Sequence, residues 1–81
     1  MTITVLAFAR LRELLGFGER RLELPAGATL DTVWSRMVQD MPAIATLRAS
    51  TRFARNGAVA TGSTPLREGD EIALMPPVGG G

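Results

Sequence analysis

The chain has 81 residues, 46% hydrophobic and 21% charged, with a formal net charge of +1, which bounds it to one domain and leaves no room for a TIM barrel or a full dinucleotide-binding fold. It contains no Cys, no His and no Lys, which removes disulfides and thiolate metal sites, the usual general base, Ser-His or Cys-His nucleophile pairs, and Schiff-base or P-loop chemistry. Nine arginines are interspersed with eight acidic residues and only four aromatics occur, so no basic stripe marks a nucleic-acid binder, and no apolar run nears the roughly 20 residues of a membrane span.

Thr2-Ile3-Thr4-Val5-Leu6-Ala7-Phe8 is β-branched and apolar and predicts a strand, with Ile3, Val5 and Ala7 on one face and Leu6 and Phe8 on the other. Residues 10–15 predict a short helical turn closed by Gly16. Arg20-Arg21-Leu22-Glu23-Leu24 alternates as a second strand, and Pro25-Ala26-Gly27 makes a turn. Thr29 is a suitable N-cap and Asp31 favours the helix dipole. From there Leu30, Val33, Trp34, Met37, Val38 and Met41 recur as one apolar stripe, predicting a helix over 30–41 that Pro42 ends. The stripe reads as core rather than as a cofactor box. Residues 43–49 form a short helical or irregular connection. Residues 52–55 and 58–60 flank Asn56-Gly57, the pattern of a hairpin with a type I′ turn. Residues 64–70 read as loop, and Glu71-Ile72-Ala73-Leu74-Met75 as the last strand, with Ile72 and Leu74 on one face, Ala73 and Met75 on the other.

One helix cannot cover both faces of a sheet, so this order implies a single layer of about five strands, mixed in direction, wrapped on helix 30–41. That is an α+β, β-grasp (ubiquitin-like) arrangement. It leaves Leu6, Phe8, Val59 and Met75 on the face away from the helix. A contiguous apolar patch on a small protein marks a partner surface, unless loops cover it. Residues 1–78 then form the domain and 79–81 a flexible C-terminal tail. A soluble, cytoplasmic protein is expected, with no nucleic acid and no membrane among its partners.

The last strand runs into Pro76-Pro77-Val78-Gly79-Gly80-Gly81. Two prolines end sheet pairing and hold the backbone extended. Three glycines in succession have a chance probability on the order of 10⁻⁴ at about 7% average usage. They make a narrow thread that enters where a Cβ would clash, ending in a carboxylate that adenylation by ATP would turn into an electrophile. The missing catalytic residues then belong to partners, and the chain is a carrier.

Three segments in order, Phe8-Ala9-Arg10-Leu11-Arg12-Glu13-Leu14-Leu15-Gly16, Pro65-Leu66-Arg67-Glu68-Gly69-Asp70-Glu71-Ile72-Ala73 and Pro76-Pro77-Val78 before Gly80-Gly81, make the whole chain resemble the small, sulfur-carrying subunits of molybdopterin synthase. The resemblance implies that an ATP-dependent adenylating enzyme, related to ubiquitin-activating proteins, converts Gly81 to a glycyl-adenylate. Sulfur from a persulfide donor then replaces AMP to leave a thiocarboxylate. It further implies that Gly80 and Gly81 enter the large catalytic subunit of a heterotetramer and give sulfur to cyclic pyranopterin monophosphate, two loaded carriers being used per dithiolene. By the same resemblance Phe8, Val59, Met75, Pro76, Pro77, Val78 and Gly79 contact partners, and the chain has no active site and no bound cofactor of its own. Gly79 stands where the family often carries a larger or hydroxylated residue, which loosens the tail without altering the chemistry. A carrier for thiamin, cysteine or tRNA thiolation, a ubiquitin-like modifier, and a plain β-grasp binding module are the rival readings. The Pro-Pro-Val-x-Gly-Gly ending and the Leu-Arg-Glu-Leu segment favour molybdopterin.

Overall fold

Alternation of apolar residues sets the outcome in the computed structural model, which describes residues 1–77. The elements are β1 (Thr2–Ala7), α1 (Ala9–Leu15), β2 (Glu19–Glu23), α2 (Leu30–Asp40), a 3-10 helix (Pro42–Ser50), β3 (Arg52–Arg55), β4 (Ala58–Ala60) and β5 (Glu71–Met75). They form one mixed sheet of order β2-β1-β5-β3-β4, in which β1 and β5 run parallel and the other pairs antiparallel. This is the β-grasp arrangement that the element order implied. Val78, Gly79, Gly80 and Gly81, the expected thread and the residue before it, lie outside the described residues.

The inner face carries the core. Ile3 sits opposite Leu22, Val5 opposite Ile72, and Leu74 between Ala7 and Phe53, all of them buried. Against them α2 lays Leu30, Val33, Trp34 and Met37, with Val38 and Met41 packed at the margin. Trp34 meets Phe53 at 6.0 Å between ring centroids and a 48° tilt, so the aromatic and methionine stripe is core packing. The 3-10 helix after Pro42 adds Ile44, which is fully buried.

The start of α2 is satisfied from a distance. The Thr29 amide donates to Thr32 Oγ1 at 3.0 Å, half of a capping box. The Leu30 and Asp31 amides, which a helix leaves without internal partners, donate to the carbonyls of Thr64 and Gly62 at 3.1 and 2.8 Å. Gly62 allows this approach, since a Cβ there would overlap the Asp31 carboxylate. The hairpin is as the sequence predicts: Asn56 at φ 49° and Gly57 at φ 84° join β3 to β4, both positive as a type I′ turn needs.

Several boundaries shift by a residue from expectation: α1 begins at Ala9, β2 ends at Glu23, α2 ends at Asp40 and the 3-10 helix runs over Pro42–Ser50. The first strand ends at Ala7 because the chain turns at Ala9, whose φ is 51°. The Phe8 amide still donates to the Leu74 carbonyl at 3.2 Å, and the Phe8 carbonyl accepts from the Arg12 amide as α1 begins. The second strand starts at Glu19, one residue early, because the Leu6–Glu19 pair extends the ladder.

Candidate functional site

Register decides what faces outward. Leu6 pairs with Ala73, Ala73 with Ala54 and Ala54 with Val59, one apolar row across β1, β5, β3 and β4. At an inter-strand spacing of about 4.8 Å the row spans roughly 14 Å. One step toward the C-terminal end of β5, Met75 lies opposite Arg52, and Phe8 is held beside β5 by its bond to Leu74. Phe8 is 43% exposed and Val59 76%, the large apolar side chains that water reaches. Leu6, Ala73 and Met75 are half-buried and Ala54 is buried. No described loop covers Phe8 or Val59, so the outward face presents a real patch, narrowest at its centre.

Phe8 owes its position to two things. Strand parity points it away from α2, and the left-handed φ of Ala9 turns the chain into α1 directly after it. A residue with a Cβ in that region costs roughly 1–2 kcal/mol; local strain of this kind collects at recognition sites. Beside Phe8 opens a groove of about 190 Å³, walled by Leu11, Leu47, Pro76 and Pro77. The two prolines are exposed and continue β5 off the sheet.

Charge around the patch is uneven. Arg10 and Arg52 stand exposed at the end where β5 runs into Pro76, while Glu19, Arg21 and Glu71 flank the other end through their pairing with Leu6 and Thr4. The most perturbed titratable group lies elsewhere. Burial alone would push the Asp70 carboxyl up, but Arg55 Nε at 2.8 Å, Asn56 Nδ2 at 2.9 Å and the Arg67 amide at 2.8 Å all donate to it, and together they hold it down at about 2. These partners tie the hairpin to the loop before β5, so Asp70 is a structural knot. Among the described residues no group of acidic side chains could hold a metal ion, and no helix is long and apolar enough to cross a membrane.

Of the residues singled out from sequence, Phe8, Met75, Pro76 and Pro77 come together at the root of the C-terminal segment. Val59 sits at the far edge of the same face, while Val78, Gly79, Gly80 and Gly81 fall outside the described residues. Arg52, Arg10 and Leu47 were missed. Alternation in Arg52-Phe53-Ala54 could have placed Arg52 outward; nothing local brings Leu47 to Pro76.

The ThiS family model matches residues 5–81. The chain is 35% identical over 79 residues to the molybdopterin synthase sulfur carrier subunit of Arabidopsis thaliana, covering 98% of this chain and 82% of that one. It is 34% identical over 83 residues to the molybdopterin synthase sulfur carrier subunit of Chlamydomonas reinhardtii, covering 100% of each. The crystal structure of SAMP1 from Haloferax volcanii, a small archaeal modifier protein, superimposes with a TM-score of 0.85 at 28% identity, covering 100% of both chains.

Proposed function

The chain belongs to the ThiS family, and on that premise we propose that it is the sulfur-carrying small subunit of a molybdopterin synthase. One observation carries the reading: the exposed Phe8, tied to β5 through its amide's bond to the Leu74 carbonyl, and the half-buried Met75 both stand where β5 runs into Pro76-Pro77. This is apolar surface suited to docking, at the root of the segment proposed to bear the chemistry. The two carrier subunits above, similar over nearly the whole chain, support it.

In this reading the chain docks and presents; it catalyses nothing. An ATP-dependent adenylating enzyme binds the apolar patch and activates the Gly81 carboxylate as a glycyl-adenylate. The terminal sulfur of a persulfide donor then attacks the carbonyl carbon as AMP leaves. A second thiol of the partner cleaves the resulting acyl disulfide, ending in a disulfide with the donor cysteine and leaving Gly81 as a thiocarboxylate. ATP and the donor are used by the activating partner, so this chain binds neither. The loaded subunit next engages the large catalytic subunit through Phe8, Val59 and Met75. Pro76 and Pro77 direct the backbone away from the sheet, Val78 spaces it, and Gly79 and Gly80 pass a channel too narrow for a Cβ. Sulfur goes to cyclic pyranopterin monophosphate, twice per dithiolene. The steps take place in the cytoplasm.

Intact-protein mass spectrometry tests this after incubation with ATP, a sulfur source and the host's adenylating enzyme. The expected result is a mass gain equal to one oxygen exchanged for sulfur, localised to Gly81 and abolished by its deletion. No gain from an enzyme shown to be active on its own carrier would overturn the reading. The likeness to SAMP1 favours a second reading, a modifier whose activated glycine is attacked by amines of other proteins. Isopeptide-linked adducts of many sizes, in place of the sulfur exchange, would establish it. Having no lysine, this chain could not be extended through its own side chains.

A further inference from the structure

We propose that the groove between Phe8 and the Pro76-Pro77 pair is a socket for one apolar side chain of the large subunit that receives the tail, with Arg10 pairing a carboxylate next to that side chain. The proposal rests on the carrier reading and adds a second anchor to it, separate from the flat outer patch.

Three separate stretches of the chain build the groove: the turn from β1 into α1, the end of the 3-10 helix with Thr51, and the prolines after β5. Its volume of about 190 Å³ is below the roughly 300–1,000 Å³ of small-molecule sites, so it suits a single side chain and not a cofactor. The hydroxyls at its edge are already engaged, since Ser50 Oγ and Thr51 Oγ1 donate to the Leu47 carbonyl at 3.2 and 2.7 Å. What remains for an incoming group is apolar surface and the guanidinium of Arg10.

The charge fits one kind of partner. Each acidic side chain in a described ion pair is held by Arg20, Arg48 or Arg55, which leaves Arg10 exposed and without an ion-pair partner among the described residues. Arg52, opposite Met75, is in the same position. Two uncompensated cations at the tail end of the patch call for carboxylates on the facing surface, where complementary charge steers and orients an encounter. Phe8 belongs to both the groove and the outward face, so the socket continues the patch around the edge of the sheet. Because Pro76 and Pro77 are themselves a wall, a side chain seated there grips the root of the tail. It thereby sets the direction in which residues 78–81 leave, at a point where a displaced reacting atom costs about 10²-fold in rate.

The test uses the full chain and the host's large synthase subunit, with affinity and rates measured by surface plasmon resonance. Ser50→Trp plugs the groove from an exposed position whose only described bond is the one to Leu47. It should leave the melting temperature unchanged while weakening the complex at least about tenfold, as loss of a buried anchor does. Arg10→Glu, on the exposed side of α1, should slow association about tenfold at low salt and flatten its salt dependence. A Ser50→Trp chain that binds the large subunit as tightly as wild type overturns the socket and leaves the carrier reading standing; so does an unchanged association rate for Arg10→Glu with respect to the carboxylate pairing. A wild-type chain that neither acquires sulfur nor binds the large subunit overturns the carrier reading and this inference together.

Discussion

At Asp70 three donors meet one buried carboxylate, and the consequence is a defined acid limb. The group ordinarily titrates near 3.8 and is held at about 2 in the fold. A depressed carboxyl adds stability that is fully present above its unfolded pKa and is lost as pH falls through the folded one, here between about pH 4 and pH 2, on the order of 2 kcal/mol in all. Asp70→Asn should therefore lower stability at about pH 7 by about 1–3 kcal/mol. The gap to wild type should close as denaturant melts are repeated toward pH 2; a gap independent of pH would show that packing, and not charge, accounts for the loss. Ala9 is the opposite case, since its φ of 51° works against the fold. Ala9→Gly should raise stability by up to about 1 kcal/mol by removing the Cβ clash, read as a higher midpoint at unchanged slope.

At the scale of elements, the hairpin and the C-terminal prolines are expected to differ in what their loss disturbs, folding in one case and sulfur transfer in the other. Gly57, at φ 84°, holds the turn that sets the β3–β4 register. Gly57→Val should cost about 1–2 kcal/mol or more and expose the β3 and β4 amides to faster hydrogen exchange, while β1 and β5 at the centre of the sheet stay protected. Pro76 and Pro77 lie beyond the last ladder pair, Met75 with Arg52. Replacing both by alanine should thus leave stability within about 0.5 kcal/mol yet slow single-turnover sulfur transfer about 10²-fold. Transfer at the wild-type rate would show that the prolines serve only to end the sheet.

For the whole molecule, the deciding fact is that one sheet has one main helix. α2 buries the inner face through Leu30, Val33, Trp34 and Met37, and on the outer face Phe8 and Val59 stay exposed, the surface proposed above to receive a partner. Val59, at 76% exposure, contributes little to folding, so Val59→Arg should keep stability within about 0.5 kcal/mol. It should weaken the complexes with both the adenylating enzyme and the large subunit about tenfold or more if the patch is a shared docking surface. Calorimetric titration of each partner checks this; normal binding of both would confine the interface to Phe8, Met75 and the tail root. The pairing of Arg10 and Arg52 at one end against mixed charge at the other gives the face a direction, which a flat apolar patch alone would lack.

Which residues form strands, which face each side chain takes, where α2 runs, and that Asn56-Gly57 turns a hairpin were legible in the sequence. These depend on local periods, 2 for strands and 3.6 for helices, and on the φ preferences of single residues. The outward parity of Phe8, Val59 and Met75 followed from the same alternation, and the glycine-rich ending from composition alone. Only the tertiary structure decided the strand order β2-β1-β5-β3-β4 and its register, and with them that Arg52 stands beside Met75, that Leu47 walls a groove with Pro76, and that the carbonyls of Gly62 and Thr64 cap α2. Those contacts join residues far apart in the chain. They arise from how all the buried surface packs at once, a condition that no local pattern of residues contains.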